Sequence, residues 1–182
     1  MPGAFIEATL REFRSLKRAA ERAIAQVSDE AFFATLDAES NSMAMLVKHV
    51  AGNMRSRWTD FLTTDGEKPD RNRDSEFVIG PGDTRAALLE RWEQAWAILL
   101  GTLESLGPAD LECTVTIRFE PYSVVGAIQR QLAHYSDHIG QIILLAKHFA
   151  GQGWKTLSVP RGKSEEENAR YAARFKEKAG KP

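Results

Sequence analysis

Residues 131–141 of the chain read Gln-Leu-Ala-His-Tyr-Ser-Asp-His-Ile-Gly-Gln. They lie inside a long run in which apolar residues recur with a helical period, so the sequence predicts a helix here. His134 and His138 are four residues apart, which places both imidazoles on one face of that helix, one turn above the other. Such a pair can chelate one metal ion, and we expect the rest of the chain to bring a third ligand, His49, to it.

Further apolar-periodic runs predict helices that can pack against the one carrying this pair. The predicted helices span about residues 4–26, 42–62, 84–106 and 123–150, with a short capped helical turn near residues 28–36. His49 lies at the edge of the apolar stripe of its helix, whereas Trp92 and Trp96 lie on an apolar face and are expected in the core. The pattern predicts an all-α bundle that forms one domain over residues 1–182.

The segments between and after these helices predict a loop, a short strand and a C-terminal helix. Residues 63–77 are polar and rich in turn residues, so they predict a long loop, and we favour a solvated surface over substrate contact for its charges. In residues 115–119 apolar side chains alternate with polar ones, which predicts a short strand or an extended connection before the last long helix. The polar tail, residues 154–182, contains a capping-box pattern at residues 164–167, which predicts a small C-terminal helix.

Composition excludes several classes of protein. The net charge is −1 and the isoelectric point is about 6.4, so there is no basic footprint and nucleic acid is not an expected partner. No apolar run reaches the roughly 18 residues of a membrane span, and the N-terminus lacks the pattern of a signal peptide. The single Cys113 cannot form an internal disulfide, which favours a cytoplasmic location, and we expect this side chain to be a packing residue.

The three histidines suggest a particular kind of metal site. Neutral imidazoles suit Zn, Ni, Cu and Fe(II), and three of them leave at least one coordination position open, as in catalytic sites. No Glu stands three residues before a histidine, so a di-iron carboxylate site is not supported. A His-x-x-x-His pair also occurs by chance on helix surfaces, and that alternative stays open on spacing alone. His148 lies ten residues beyond His138, too far along the helix to join the site, and is expected at the surface or in a structural role.

Five segments, in this order, resemble a subgroup of the DinB-like (DinB/YfiT-type) superfamily. They are Leu46-Val-Lys-His-Val-Ala-Gly-Asn-Met-Arg-Ser-Arg-Trp-Thr-Asp-Phe-Leu, Asp65-Gly-Glu-Lys-Pro, Arg71-Asn-Arg-Asp, His134-Tyr-Ser-Asp-His-Ile-Gly-Gln and Trp154-Lys-Thr-Leu-Ser-Val-Pro-Arg-Gly. The resemblance implies a four-helix bundle with an unusual connection between its middle helices, and often a homodimer. It also implies a histidine triad that binds one divalent metal ion, commonly Zn or Ni, and His49, His134 and His138 match that triad.

Relatives in the superfamily include thiol-dependent S-transferases, a mycothiol-dependent isomerase and hydrolases. The resemblance therefore implies a metal-dependent enzyme of thiol S-transferase or hydrolase type, acting on a small-molecule substrate with or without a low-molecular-weight thiol. Asn53 and Gln141 are candidates to orient metal-bound groups, although as isolated residues they read as ordinary polar positions. Arg55, Arg57 or the Arg71–Arg73 segment are candidates to hold an anionic substrate. No catalytic residue is assigned. The alternative is a non-catalytic metal-binding stress-response or interaction module.

Overall fold

Helices dominate the computed structural model, which describes residues 2–179, with side chains from residue 3 to residue 175. The helices are α1 (Pro2–Ile24), α2 (Asp29–Phe33), α3 (Met43–Trp58), α4 (Arg85–Ser105), α5 (Val124–Ala150) and α6 (Ser164–Ala179). Strands β1 (Thr114–Ile117) and β2 (Glu120–Ser123) pair antiparallel directly before α5. Single 3-10 turns lie at Asp74–Phe77, Asp110–Glu112 and Gly151–Gly153. Within the described residues, no helix has an apolar stretch long enough to cross a membrane.

Four of the helices begin at a hydroxyl side chain that the sequence makes recognisable. The side-chain oxygens of Ser28, Ser42, Thr84 and Ser123 each accept a hydrogen bond from the backbone N–H three residues later. Each such cap contributes about 1 kcal/mol, so the helix starts are well defined. The predicted end of α3 was wrong: the helix stops at Trp58 rather than near residue 62, and the chain turns away two residues later.

Four of the helices, α1, α3, α4 and α5, pack on one another. Helix α3 lies against α4 and α5, and α1 lies against α5 and α4. Aromatic side chains fill the space between them, with Phe13 at 6.0 Å from Trp58 and 6.1 Å from Tyr135, measured between ring centroids. Trp92 and Trp96 are fully buried, which confirms their predicted place in the core. This packing fixes α3 against α5, the two helices that carry the predicted metal ligands.

The hairpin before α5 is more regular than the sequence indicated, because a second strand completes it. Arg118 and Phe119 form its two-residue turn, and both have positive φ angles, of 53° and 67°. That geometry matches the twist of a hairpin but favours glycine or asparagine over these residues. The Asp65 carboxylate holds the turn by accepting the backbone N–H groups of Arg118 and Phe119, at 2.9 and 2.8 Å. Phe119 was expected in a strand; it stands at the turn instead, 94% exposed.

Cys113 and α6 lie outside the packed core. The expectation that Cys113 is a packing residue is wrong, since its side chain is exposed. Its backbone N–H closes the 3-10 turn that starts at Asp110, so the inward–outward alternation of β1 does not extend back to it. The predicted C-terminal helix is present as α6, which has 16 residues and described side chains that are almost all exposed.

Candidate metal centre

The three predicted ligands meet at one point between α3 and α5. The Nε2 atom of His134 lies 3.4 Å from that of His49 and 3.1 Å from that of His138. One ligand nitrogen from each of the three residues lies within 4.8 Å of the others. An ion with metal–nitrogen bonds of about 2.0–2.1 Å holds neighbouring nitrogens about 3.0–3.4 Å apart. The spacing of these nitrogens therefore fits a single shared metal ion, and the donor set is the one that Zn and Ni accept.

Burial keeps the two histidines of α5 in the form that binds metal. Desolvation, reinforced by the neighbouring imidazoles, lowers the pKa of His134 to about 3 and that of His138 to about 4. Both rings are therefore neutral near pH 7, and a metal ion does not have to displace a proton from either of them. Two imidazoles that stay neutral at this separation have lone pairs available for a shared cation.

His49 is oriented by a carboxylate behind it. Its Nδ1 atom lies 2.7 Å from Oε2 of Glu76, which is itself only 6% exposed. Burial alone would raise the pKa of the Glu76 carboxyl, but hydrogen bonds from His49 and Arg71 hold that pKa below its usual value. An ionised carboxylate only accepts hydrogen bonds, so Nδ1 of His49 carries the proton. In a ring that carries only this proton, the lone pair is on Nε2, the atom that faces His134.

An ion-pair network continues from Glu76 away from the histidines. Arg71 donates two hydrogen bonds to the Glu76 carboxylate, of 2.8 and 2.9 Å from Nε and Nη2. Arg71 also reaches Glu67, which accepts hydrogen bonds from Arg57 at 3.0 Å and from Arg118 at 2.9 Å. Paired guanidinium and carboxylate groups of this kind hold their geometry well because each group has several partners. The network ties the connection after α3 and the tip of the hairpin to His49.

A glycine in the middle of α3 makes room for this carboxylate. A Cβ atom added to Gly52 would lie 2.4 Å from Oε1 of Glu76 and 2.9 Å from its Cδ. Such distances are far shorter than a normal van der Waals contact, so any larger residue at position 52 would displace Glu76. Glycine lowers the helix propensity of α3, and the close approach of Glu76 explains why the chain has glycine at position 52.

The connection between α3 and α4 is only partly the solvated surface that was expected: Asp70 and Asp74 are exposed, but two other charged side chains are not. Its charges were expected to form a solvated surface, but Glu76 and Arg71 are largely buried and bind each other beside His49. No spacing rule links His49 to a carboxylate 27 residues later on an irregular segment. A glutamate next to an aromatic residue in an otherwise polar stretch was the only available signal, and it is too common to be informative.

A cavity of about 520 Å³ opens onto the three histidines. Asn53, Gln141 and Arg57, three of the residues predicted near the site, line it, whereas Arg55 does not. Arg55 is exposed and pairs with Asp70 on another part of the surface. The Oδ1 atom of Asn53 accepts a hydrogen bond from the Tyr135 hydroxyl at 3.0 Å, so this amide is held by the core. Gln141 is exposed at the cavity wall, and His148 is exposed away from it, as predicted.

These observations define a helical protein with three histidines converging beside a cavity. Residues 2–163, nearly the whole chain, match the family model described as "Protein of unknown function (DUF1572)". The chain therefore belongs to this family, which is part of the DinB/YfiT-like clan, and the resemblance found in the motifs is confirmed at that level. No curated protein matches the chain.

Proposed function

We propose that the chain binds one divalent metal ion through His49, His134 and His138 and acts as a metal-dependent enzyme of thiol S-transferase or hydrolase type. The observation that supports it most directly is the convergence of three Nε2 atoms, with neighbouring pairs at 3.1 and 3.4 Å, at the wall of a cavity. We further propose that α1, α3, α4 and α5 form the four-helix bundle of the DinB-like type. Zn or Ni is the proposed ion, since both accept an all-imidazole donor set.

The site leaves room for ligands from outside the chain. Among the described residues, the group of convergent ligand atoms contains three histidines and no carboxylate or thiolate. A divalent ion held by three neutral ligands would act as a Lewis acid and lower the pKa of a bound water or thiol. The contribution of the chain is to hold the ligands in place: Glu76 fixes the tautomer of His49, and burial keeps His134 and His138 neutral. The Gln141 amide at the cavity wall is placed to hydrogen-bond a molecule that enters.

Elemental analysis of the natively purified protein tests metal binding. We expect about one ion per chain in the wild type and loss of most of it in His134→Ala, because two remaining imidazoles chelate weakly. His148→Ala is the matched control: it removes an exposed histidine from the same helix and is expected to keep full occupancy. Full metal content in His134→Ala, measured in protein that retains its helical circular dichroism, would refute the assignment.

Cobalt substitution separates an enzyme site from a closed metal site. In the proposed site, a small thiol or imidazole binds the open coordination position, so the visible spectrum of the Co²⁺ form should change without any loss of helical signal. A spectrum that stays unchanged at saturating thiol and imidazole would contradict the open site. In that case the alternative of a non-catalytic metal-binding module is the better description.

A further inference from the structure

The cavity beside the histidines carries an unusual concentration of positive charge. Five arginines line it, namely Arg57, Arg71, Arg73, Arg118 and Arg130. Asp137 is the one carboxylate among the described residues of its wall. The whole chain has a net charge of −1, so this excess of arginine is a local property and not a result of composition. Clefts lined by charge of one sign raise the local concentration of oppositely charged small molecules.

Three of these arginines already have carboxylate partners. Arg57, Arg71 and Arg118 share Glu67 and Glu76, so three guanidinium groups face two carboxylates. Arg57 is buried, and its Nε atom has no hydrogen-bond partner among the described residues. A buried guanidinium N–H without an acceptor costs free energy, and three guanidinium groups shared between two carboxylates leave the positive charge of this wall incompletely compensated.

The other two arginines present their donors to the cavity more openly. The guanidinium carbon of Arg73 lies 5.0 Å from the ring centre of Phe77, and that of Arg130 lies 5.7 Å from the ring centre of Tyr122. Stacking on a ring orients a guanidinium through its face and leaves its N–H groups available. The nearest carboxylate oxygen of Asp74 is 3.9 Å from Arg73. The Asp74 side chain is 99% exposed, so this ion pair is weak. Arg130 has no carboxylate partner in the described part of the chain.

The position of Arg130 relates these donors to the histidines. Arg130 lies four residues before His134 on α5, so the two side chains share a helix face about 6 Å apart along the axis. Arg73 approaches the same cavity from the connection between α3 and α4. An anionic group between these arginines would therefore stand within one small molecule's length of the three Nε2 atoms. A volume of about 520 Å³ suits a small molecule rather than a macromolecule.

We propose that the cavity binds a small organic molecule through an oxyanion group, a carboxylate or a phosphate, and that Arg130 and Arg73 hold this group. The guanidinium fork matches both kinds of oxyanion, so the chemistry that they share defines the substrate class. The rest of the molecule then extends toward His134. The inference deepens the proposed function by naming the substrate class, but the anion site is built from arginines and does not itself require the metal.

Isothermal titration calorimetry with two probes, malonate and inorganic phosphate, tests the anion site. The full chain is titrated both as purified and after treatment with a chelator, and circular dichroism checks that each form stays folded. We expect Arg130→Gln and Arg73→Gln each to weaken binding of the preferred probe about 10-fold or more, the effect of losing a charge-assisted hydrogen bond. Arg130→Lys should recover part of the affinity, since it keeps the charge but loses the fork.

Arg55→Gln is the matched control, because Arg55 is an exposed arginine of α3 that lies outside the cavity. It should bind both probes as the wild type does. A preference for malonate or for phosphate identifies the kind of oxyanion. Absence of binding for both probes in both forms would overturn the inference, and so would an equal loss in Arg55→Gln and Arg130→Gln. Anion binding that depends on Arg130 in a protein that takes up no metal would instead refute only the proposed metal enzyme.

Discussion

Replacing Gly52 by alanine should destabilise the protein, although helix propensity predicts the opposite. Alanine in the interior of a helix is about 0.8–1.0 kcal/mol more favourable than glycine. At position 52, however, the added Cβ would lie 2.4 Å from Oε1 and 2.9 Å from Cδ of Glu76. Glu76 cannot rotate away freely, because its carboxylate is bound on one side by His49 and on the other by Arg71. We therefore expect the substitution to act through Glu76 on His49 and the proposed metal site.

The magnitude follows from the hydrogen bonds that Glu76 would lose. Each hydrogen bond to a charged group contributes about 1.5–3 kcal/mol, so the loss of one already exceeds the propensity gain. We expect the unfolding free energy of Gly52→Ala to fall by about 1–2 kcal/mol, equivalent to a Tm lower by about 2–8 °C for a chain of this size. Displacement of Glu76 also removes the acceptor that orients His49, so metal affinity should fall about 10- to 100-fold.

Urea denaturation and a chelator competition measure these two effects. Gly101→Ala is the matched control, since Gly101 lies inside α4, is exposed, and has no described atom within 4 Å of an added Cβ. That variant should gain about 0.8–1.0 kcal/mol and keep the metal affinity of the wild type. Glu76 is not fixed against Gly52 if Gly52→Ala gains as much stability as Gly101→Ala and binds metal as well as the wild type.

Three other perturbations give separate checks. Tyr135→Phe removes a buried hydroxyl that accepts a hydrogen bond from Trp58 at 3.1 Å and donates one to Asn53 at 3.0 Å. We expect it to lower the unfolding free energy by about 1–3 kcal/mol in urea denaturation, and a negligible loss would contradict these bonds. Burial would raise the pKa of the Asp83 carboxyl, but hydrogen bonds from two basic side chains and a backbone N–H hold that pKa below 3.8. The contribution of Asp83 to stability is therefore present above about pH 4 and is lost as the pH falls through the folded-state pKa. Asp83→Asn should therefore flatten the acid side of the stability profile, whereas an unchanged slope would speak against this role. Metal at about 100 times its Kd should stabilise the wild type by about 2.7 kcal/mol in thermal unfolding and leave His134→Ala unaffected, and an equal effect on both would mean that the ion binds elsewhere.

The parts of the site that follow from local periodicity were predictable from the sequence. The relation of His134 to His138 depends only on helical geometry, and the hydroxyl caps mark where α3, α4 and α5 begin. The choice of His49 as the third ligand came from its place at the edge of an apolar stripe and from the family resemblance. The structure brings these three residues together, which confirms the expected set of convergent histidines.

The parts that depend on irregular segments were not predictable. Glu76 reaches His49 because the connection after α3 folds back on that helix, and no short-range pattern encodes this path. The second strand of the hairpin was missed because its turn, Arg118-Phe119, lacks the asparagine or glycine that normally marks one. A distant side chain, Asp65, supplies the stabilisation instead. The homodimer stays a prediction from the resemblance, since no residue pattern identifies an interface.

The same turn bears on the order in which the chain folds. A two-stranded hairpin with four-residue strands is barely stable alone, and two residues with positive φ angles make this one weaker still. Its turn is held by Asp65, which lies 53 residues before Arg118. Forming this stabilising contact therefore carries the entropic cost of closing a long loop. We therefore expect the hairpin not to nucleate folding, and to form after α3 and the connection that follows it have come together. On this expectation Arg118 reaches the cavity wall late, and the wall is completed after the core that supports it.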